Sequence, residues 1–304
     1  MIDLRRIDHV CLGVADVDEA AARWAVEFGL HDRGRDGARA LLSCDDEPYS
    51  LELVPGSPGH EHTGFELAHD CSLDDVRAHL RSLDIHWQEL EGSIFLVDPD
   101  GRGVQVMPYR RQELWVVHAR RSTTVRPGSP RKLGHVNCLS SHFEESIRFY
   151  TEVLGMTVSD RLGEAGIWFR INTDHHVMAL IDMTPGHFHH LAFDTVDVGQ
   201  MRDMLDHLAR HGRWLGWGPA RHGVGGNIAS YVRIVEEECF VELYCDMEQL
   251  QADHEPRLWP DDRYSSNTWG PLPPRSYFRF DAAAIASEAE SLETRGHTLP
   301  EATA

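Results

Sequence analysis

The stretch KLGHVNCLSSHFEESIRFYTEVLGM, Lys132 to Met156, has a counterpart in RIDHVCLGVADVDEAAARWAVEFGL, Arg6 to Leu30. Each opens with a short alternating run that carries a histidine, His135 or His9. Alternation at period two marks a half-buried strand. A polar turn follows, then an amphipathic helix that closes near a glycine, Gly155 or Gly29. His9 precedes Gly29 by as many residues as His135 precedes Gly155. Chance rarely preserves such spacing, and an internal repeat dictates the architecture built from it.

The correspondence runs on. EHTGFELA parallels HHLAFDTV and pairs His62 with His190. SLDDVRAHLRSLDI parallels DVGQMRDMLDHLARHG as a second helix. GVQVMP parallels FVELYC as a closing strand and pairs Gln105 with Glu242. Each half reads strand, helix, strands, and then the same again. The predicted fold class is α+β, with two tandem modules, each a pair of βαβββ units that form a curved mixed sheet. The predicted boundaries are an N-terminal module over 1–110, a connector over 111–131, a C-terminal module over 132–247 and an extension over 248–304. The connector is rich in arginine, with Pro127, Gly128 and Pro130 as linker residues. The extension carries Trp and Tyr that are costly to leave in water, so it is expected to drape over the second module. Residues 281–304 are expected to form one helix that frays.

The formal charge of −20 over 304 residues repels phosphate backbones and anionic lipid, so neither nucleic acid nor membrane is an expected partner. None of the 6 cysteines forms a C-x-x-C pair, which removes support for zinc-ribbon or thioredoxin-type chemistry. No signal-peptide pattern is present and no apolar run is long enough to span a bilayer. A cytoplasmic protein with free thiols is the expectation. The 20 histidines are many, and histidine is both the commonest metal ligand and the usual acid–base group near neutral pH.

FHHLAFD, Phe188 to Asp194, places two histidines side by side in an apolar run. Strand alternation sends His189 and His190 to opposite faces, with His190 inward and His189 in a supporting role. His135 shares a face with Asn137, His190 with Ala192, and Glu242 with Tyr244. Two imidazoles and one carboxylate from three strands can meet inside a curved sheet. That set is the facial triad of non-heme Fe(II) oxygenases. The plain alternative is three unrelated buried polar residues. A lone glutamate in the apolar run CFVELY wants a cation, which favours the metal.

On these motifs the chain resembles a type I extradiol ring-cleavage dioxygenase of the vicinal oxygen chelate superfamily, over nearly its whole length. The resemblance implies that His135, His190 and Glu242 bind Fe(II), with Mn(II) also compatible. It implies a catecholic substrate, O2 as co-substrate, a 2-hydroxymuconic semialdehyde-type product and a homo-oligomer. HVMAL places His176 where the family has its acid–base. GPARHGVGGNIASYVR resembles the segment that supplies a supporting histidine, His222, and a phenol near the bound catechol, Tyr231. Asn137 resembles a polar contact near the oxygen site. Trp168 and Trp217 are expected in the ring pocket.

The sequence departs from the family pattern at three places. RIVEEECFVE replaces the usual R-D-P-D-G turn, and Glu236, Glu237 and Glu238 are expected to form a solvated acidic turn. Glu238 is the alternative carboxylate to Glu242. Trp217 stands where relatives acting on carboxylated catechols carry arginine, which implies an uncharged, hydrophobic substrate. Gln105 replaces the first module's glutamate, and a neutral amide is a poor iron ligand. The first module is therefore expected to be vestigial, without metal. A glyoxalase-like metal isomerase and a non-catalytic binding protein on the same fold are the competing functions.

Overall fold

The computed structural model describes residues 2–44, 48–110, 129–284, 286–287 and 290. The expected connector falls outside the described residues up to residue 128, as does the final segment 291–304.

The first sheet contains β1 (Leu4–Val14), β2 (His31–Asp36), β3 (Arg39–Ser43), β4 (Leu51–Pro55), β5 (Gly59–Leu67), β6 (Gln88–Leu90), β7 (Ser93–Val97) and β8 (Gly103–Met107). Its order is β2-β3-β4-β1-β5-β8-β7-β6. The second contains β9 (Lys132–Ser140), β10 (Thr157–Leu162), β11 (Gly166–Arg170), β12 (Met178–Asp182), β13 (His187–Asp194), β14 (Leu215–Arg221), β15 (Ile228–Ile234) and β16 (Cys239–Cys245). It repeats the same order and adds β17 (Arg257–Trp259) beside β10. β1 pairs parallel with β4 and antiparallel with β5, as β9 does with β12 and β13. These are the two tandem mixed sheets that the sequence repeat predicts.

Helices cover one face of each sheet: α1 (Val17–Glu27), α2 (Leu73–Ser82), α3 (Phe143–Arg148) and α4 (Val198–Arg210). Asp16 caps α1 by accepting from the Asp18 and Glu19 amides, and Ser72 and Asp75 form a reciprocal capping box on α2. α3 continues into a π turn over Phe149–Val153. Gly29 and Gly155 take positive φ after the two homologous helices, the backbone setting that a glycine stop supplies. The core runs through both modules, and Phe28 of the first packs against Phe193 of the second at a ring distance of 6.1 Å.

Several expectations are corrected. The acidic turn before β16 is not a solvated one. Glu237 is buried, pairs with Arg23 and accepts from the Trp24 indole N–H at 3.3 Å. Glu236 pairs with Arg213. The turn belongs to the contact between modules, where guanidinium groups offset part of its desolvation, although burial still keeps the Glu237 carboxyl above its ordinary value. Glu238 is exposed, so Glu242 alone of the acidic run faces the sheet interior. The extension does pack, through β17, a 3-10 turn at Arg275–Phe278 and the buried Tyr277. However, Tyr264 and Trp269 remain 60% and 48% exposed. Tyr264 instead holds the Arg263 guanidinium over its ring.

The first module's DPDG turn is a second bridge between the modules. Asp100 accepts from the Ser140 hydroxyl, the Ser141 amide and His142 of the second module. Burial works against its carboxylate, but Ser140 and Arg102 outweigh it and bring the pKa down to about 2. A depressed folded pKa stabilises the fold above the unfolded value of about 3.9, and that contribution is lost as pH falls towards 2. Asp100→Asn is therefore expected to lower stability at pH 7, with the gap to the parent protein narrowed to about half by pH 3. Urea unfolding at both values checks this, and an unchanged gap would remove the role assigned to Asp100.

Candidate metal centre

β9, β13 and β16 bring His135, His190 and Glu242 together, with their ligand atoms within 4.8 Å of one another. Both His135 Nε2 and His190 Nε2 lie 3.0 Å from Glu242 Oε2. All three residues are buried. The other carboxylate oxygen accepts from the Asn227 side-chain amide at 2.9 Å. Among the described residues, no lysine or arginine contacts Glu242. A carboxylate buried on two imidazoles without a basic partner suits a divalent cation, so the donor set fits the metal that the sequence predicts. Burial alone would raise the Glu242 carboxyl, but the His135 and His190 rings reverse this and hold it well below its ordinary range.

The two histidines of FHHLAFD do not simply oppose each other. The β9–β13 register shifts between Phe188 and His190, a bulge that breaks the alternation. His189 lines the same cavity as His190, and their Nδ1 atoms lie 2.8 Å apart. His189 Nε2 donates to the Tyr277 carbonyl at 2.8 Å, which ties the extension to the site. His189 Nδ1 is then left to accept from His190 Nδ1–H, and His190 Nε2 keeps its lone pair for the centre.

A parallel chain sets His176. Asp160 Oδ2 lies 3.1 Å from His175 Nε2, and His175 Nδ1 lies 3.0 Å from His176 Nδ1. The carboxylate takes the His175 Nε2 proton, so His175 Nδ1 accepts from His176 and leaves His176 Nε2 as an acceptor. Burial, and then the nearby His135, push the His176 imidazole well below its ordinary value. Gly225, at φ +78°, lets the backbone pass this pair, because a Cβ there would meet His175 Nδ1 at 3.2 Å. His222 is oriented by the extension. Its Nδ1 faces the Ser266 carbonyl at 3.1 Å, and its Nε2 accepts from the Tyr231 hydroxyl at 2.7 Å. Burial, and then Glu242, raise the Tyr231 phenol well above its ordinary value, so it keeps its proton at neutral pH.

These groups line one cavity of about 130 Å³, the size that holds a single aromatic ring. Asn137, Trp168 and Trp217 line it. Among the described residues, no arginine or lysine is in its lining. Arg221 is committed to the Gly226 carbonyl and Asp246, and Arg170 to the Val158 and His254 carbonyls. Sequence reasoning missed Asn227, although it lies within GPARHGVGGNIASYVR, and it missed Asp160, the function of His175, and Tyr277.

In the first module, His9 and His62 lie together as the repeat requires, with Nε2 atoms 3.1 Å apart. The expectation of an empty relic rested on Gln105. A carboxylate is nevertheless present, because Glu52 enters from β4.

Residues 132–236 match the model of the Glyoxalase/Bleomycin resistance protein/Dioxygenase superfamily. The chain is 28% identical over 208 residues to Metapyrocatechase 2 of Cupriavidus necator, covering 62% of this chain and 64% of that protein. It thus spans just under two thirds of that relative's length. It is 25% identical over 222 residues to an iron-dependent extradiol dioxygenase of Rhodococcus jostii (strain RHA1), covering 60% of this chain and 72% of that one. The Mn(II)-bound glyoxalase from Novosphingobium aromaticivorans superposes with a TM-score of 0.76 at 24% identity, over 90% of this chain and 94% of that one. At that identity the likeness establishes the fold.

Because burial, and then His135, hold the His176 imidazole well below its ordinary value, it should stay neutral at pH 6. Histidine-selective ¹⁵N NMR of the metal-free protein checks this, against a free imidazole that is more than half protonated there. A charged ring at His176 would contradict the tautomer derived above.

Proposed function

We propose that this protein cleaves an uncharged catecholic ring with O2, beside the hydroxyls, to a 2-hydroxymuconic semialdehyde-type product. Both oxygen atoms enter the product. The observation that carries this is the convergence of the His135, His190 and Glu242 donor atoms at the base of a ring-sized cavity beside His176 and Tyr231. The extradiol relatives support the same chemistry.

His135, His190 and Glu242 would hold Fe(II) or Mn(II). Such an ion supplies a redox-active centre with open positions for small ligands. Asn227 fixes one Glu242 oxygen and turns the other towards the histidines. Trp168 and Trp217 wall the ring, and the lack of a basic lining favours a catechol without a carboxylate. His176, neutral with Nε2 free to accept, takes a proton from a catechol hydroxyl and returns it as the ring opens. Tyr231 keeps its hydrogen and donates it to His222, which leaves the phenol oxygen to accept from a catechol hydroxyl. The six thiols are free, which suits a reducing, cytoplasmic setting.

Anaerobic loading with Fe(II), followed by catechol or 3-methylcatechol and air, should give oxygen uptake together with a yellow product. His176→Phe should bind substrate normally and lose roughly 10²–10⁴-fold in kcat, the usual worth of a positioned acid–base group. Glu242→Ala should lose the metal. Unchanged turnover in His176→Phe would remove its role, and metal-loaded protein that consumes no oxygen with any catechol would favour an isomerase or binding function.

A further inference from the structure

The first module offers a second set of donors, built differently from the first. His9 on β1 stands at the register of His135, and His62 on β5 at that of His190. Gln105 pairs with Gly64 as Glu242 pairs with Ala192, so glutamine holds the position of the lost glutamate. The carboxylate comes from another strand. Glu52 on β4 pairs with Cys11, where the second module has Ala179 opposite Asn137.

The donor atoms of His9, Glu52 and His62 lie within 4.8 Å of one another. Glu52 Oε2 is 3.4 Å from His9 Nε2 and 4.0 Å from His62 Nε2. His9 and Glu52 are buried, while the His62 side chain keeps 15% of its exposure as a way in. Asp8, fully buried and paired with Arg6 and Arg110, accepts from His9 Nδ1 at 3.0 Å. A carboxylate behind an imidazole is the arrangement that fixes the Nε2 lone pair on a metal. Gly64 makes room for this ring, because a Cβ there would meet it at 2.3 Å.

Two observations separate this cluster from an ordinary buried ion pair. First, Gln105, 8% exposed, turns a buried amide oxygen to His62 but makes no well-formed hydrogen bond with it. A buried acceptor left unpaired is costly, and a cation would satisfy it. Second, the basic partner of Glu52 is shared. Arg39 lies 3.1 Å from Glu52 and 2.7 Å from both Asp36 and Glu91. Asp36 and Glu91 are exposed and draw the guanidinium outward, so the buried Glu52 holds only a share of it.

We propose that His9, Glu52 and His62 form a second divalent transition-metal site, with the Gln105 amide oxygen as fourth donor. Two imidazoles and two oxygens suit Zn(II), Co(II), Mn(II) or Fe(II), and exclude the all-oxygen preference of Ca(II) and Mg(II). The site stands apart from the centre of the second module, and its existence does not depend on the reaction assigned there.

Co(II) is the probe, because it reports both stoichiometry and coordination by its visible absorption. Chelator-treated full-length protein should take up two equivalents. Glu242→Ala, which disables the second module's centre, should take up one. Adding Glu52→Gln to that variant should weaken the remaining site by roughly 10–100-fold or more, with His62→Gln as a second probe if the first variant misfolds by circular dichroism. Failure of Glu242→Ala protein to bind Co(II), or binding unaffected by both further substitutions, would overturn the proposal.

Discussion

The Glu242 carboxylate is taken wholly out of water and set against two imidazoles, with no basic side chain among its described contacts. Burying a carboxylate costs several kcal/mol unless opposite charge or several hydrogen bonds repay it. Asn227 repays one oxygen, and the other is left to the histidines. The surrounding strands are arranged about this need. β9, β13 and β16 each contribute one donor from a neighbouring register position, so no loop has to be ordered to form the set. A site on three paired strands is held by their ladder hydrogen bonds, which preorganises its donors.

The two modules share a topology and have diverged in where they place charge. The closing strand keeps its carboxylate in the second module and has an amide in the first. The fourth strand has the reverse, with Ala179 in the second and Glu52 in the first. The histidines stay in place in both. A sheet scaffold fixes which positions face inward but not which of them carries the carboxylate, so the carboxylate can stand on either strand flanking the histidine pair while the two imidazoles remain.

The repeat was legible in the sequence because strand alternation, helix amphipathicity and terminal glycines each leave a periodic trace, and here they leave it twice. His135, His190 and Glu242 were legible because each lies at a fixed place in that repeat. The sharing of one cavity by His189 and His190 was not, because a bulge adds a residue without altering composition. Asp160 and His175 escaped notice for a related reason, since their contact joins β10 to a loop and has no sequence period. Glu237 read as a solvated charge because nothing local in EEE announces that Arg23 and Trp24 of the other module will cover it. Glu52 was hidden by the repeat itself. Comparison by aligned position points to Gln105 and stops there, whereas the contact is made across strands.

The cavity is completed by a segment that the repeat does not contain. Tyr277 packs on Trp217 and Tyr231 at ring distances of 4.7 and 4.9 Å, and its carbonyl holds His189. Ser266, also in the extension, orients His222 through its carbonyl. The extension therefore sets two histidine tautomers at the site by backbone groups, whose position depends on its packing and not on its side chains. That packing rests on β17 at the sheet edge, where Asp160 binds Arg257 and Trp259 and also His175. One carboxylate thus anchors the segment that closes the pocket and fixes the histidine chain leading to His176. Docking of the extension and readiness of the acid–base group are linked through Asp160, so a chain without its extension would keep the metal ligands and lose the hydrogen-bond order around them.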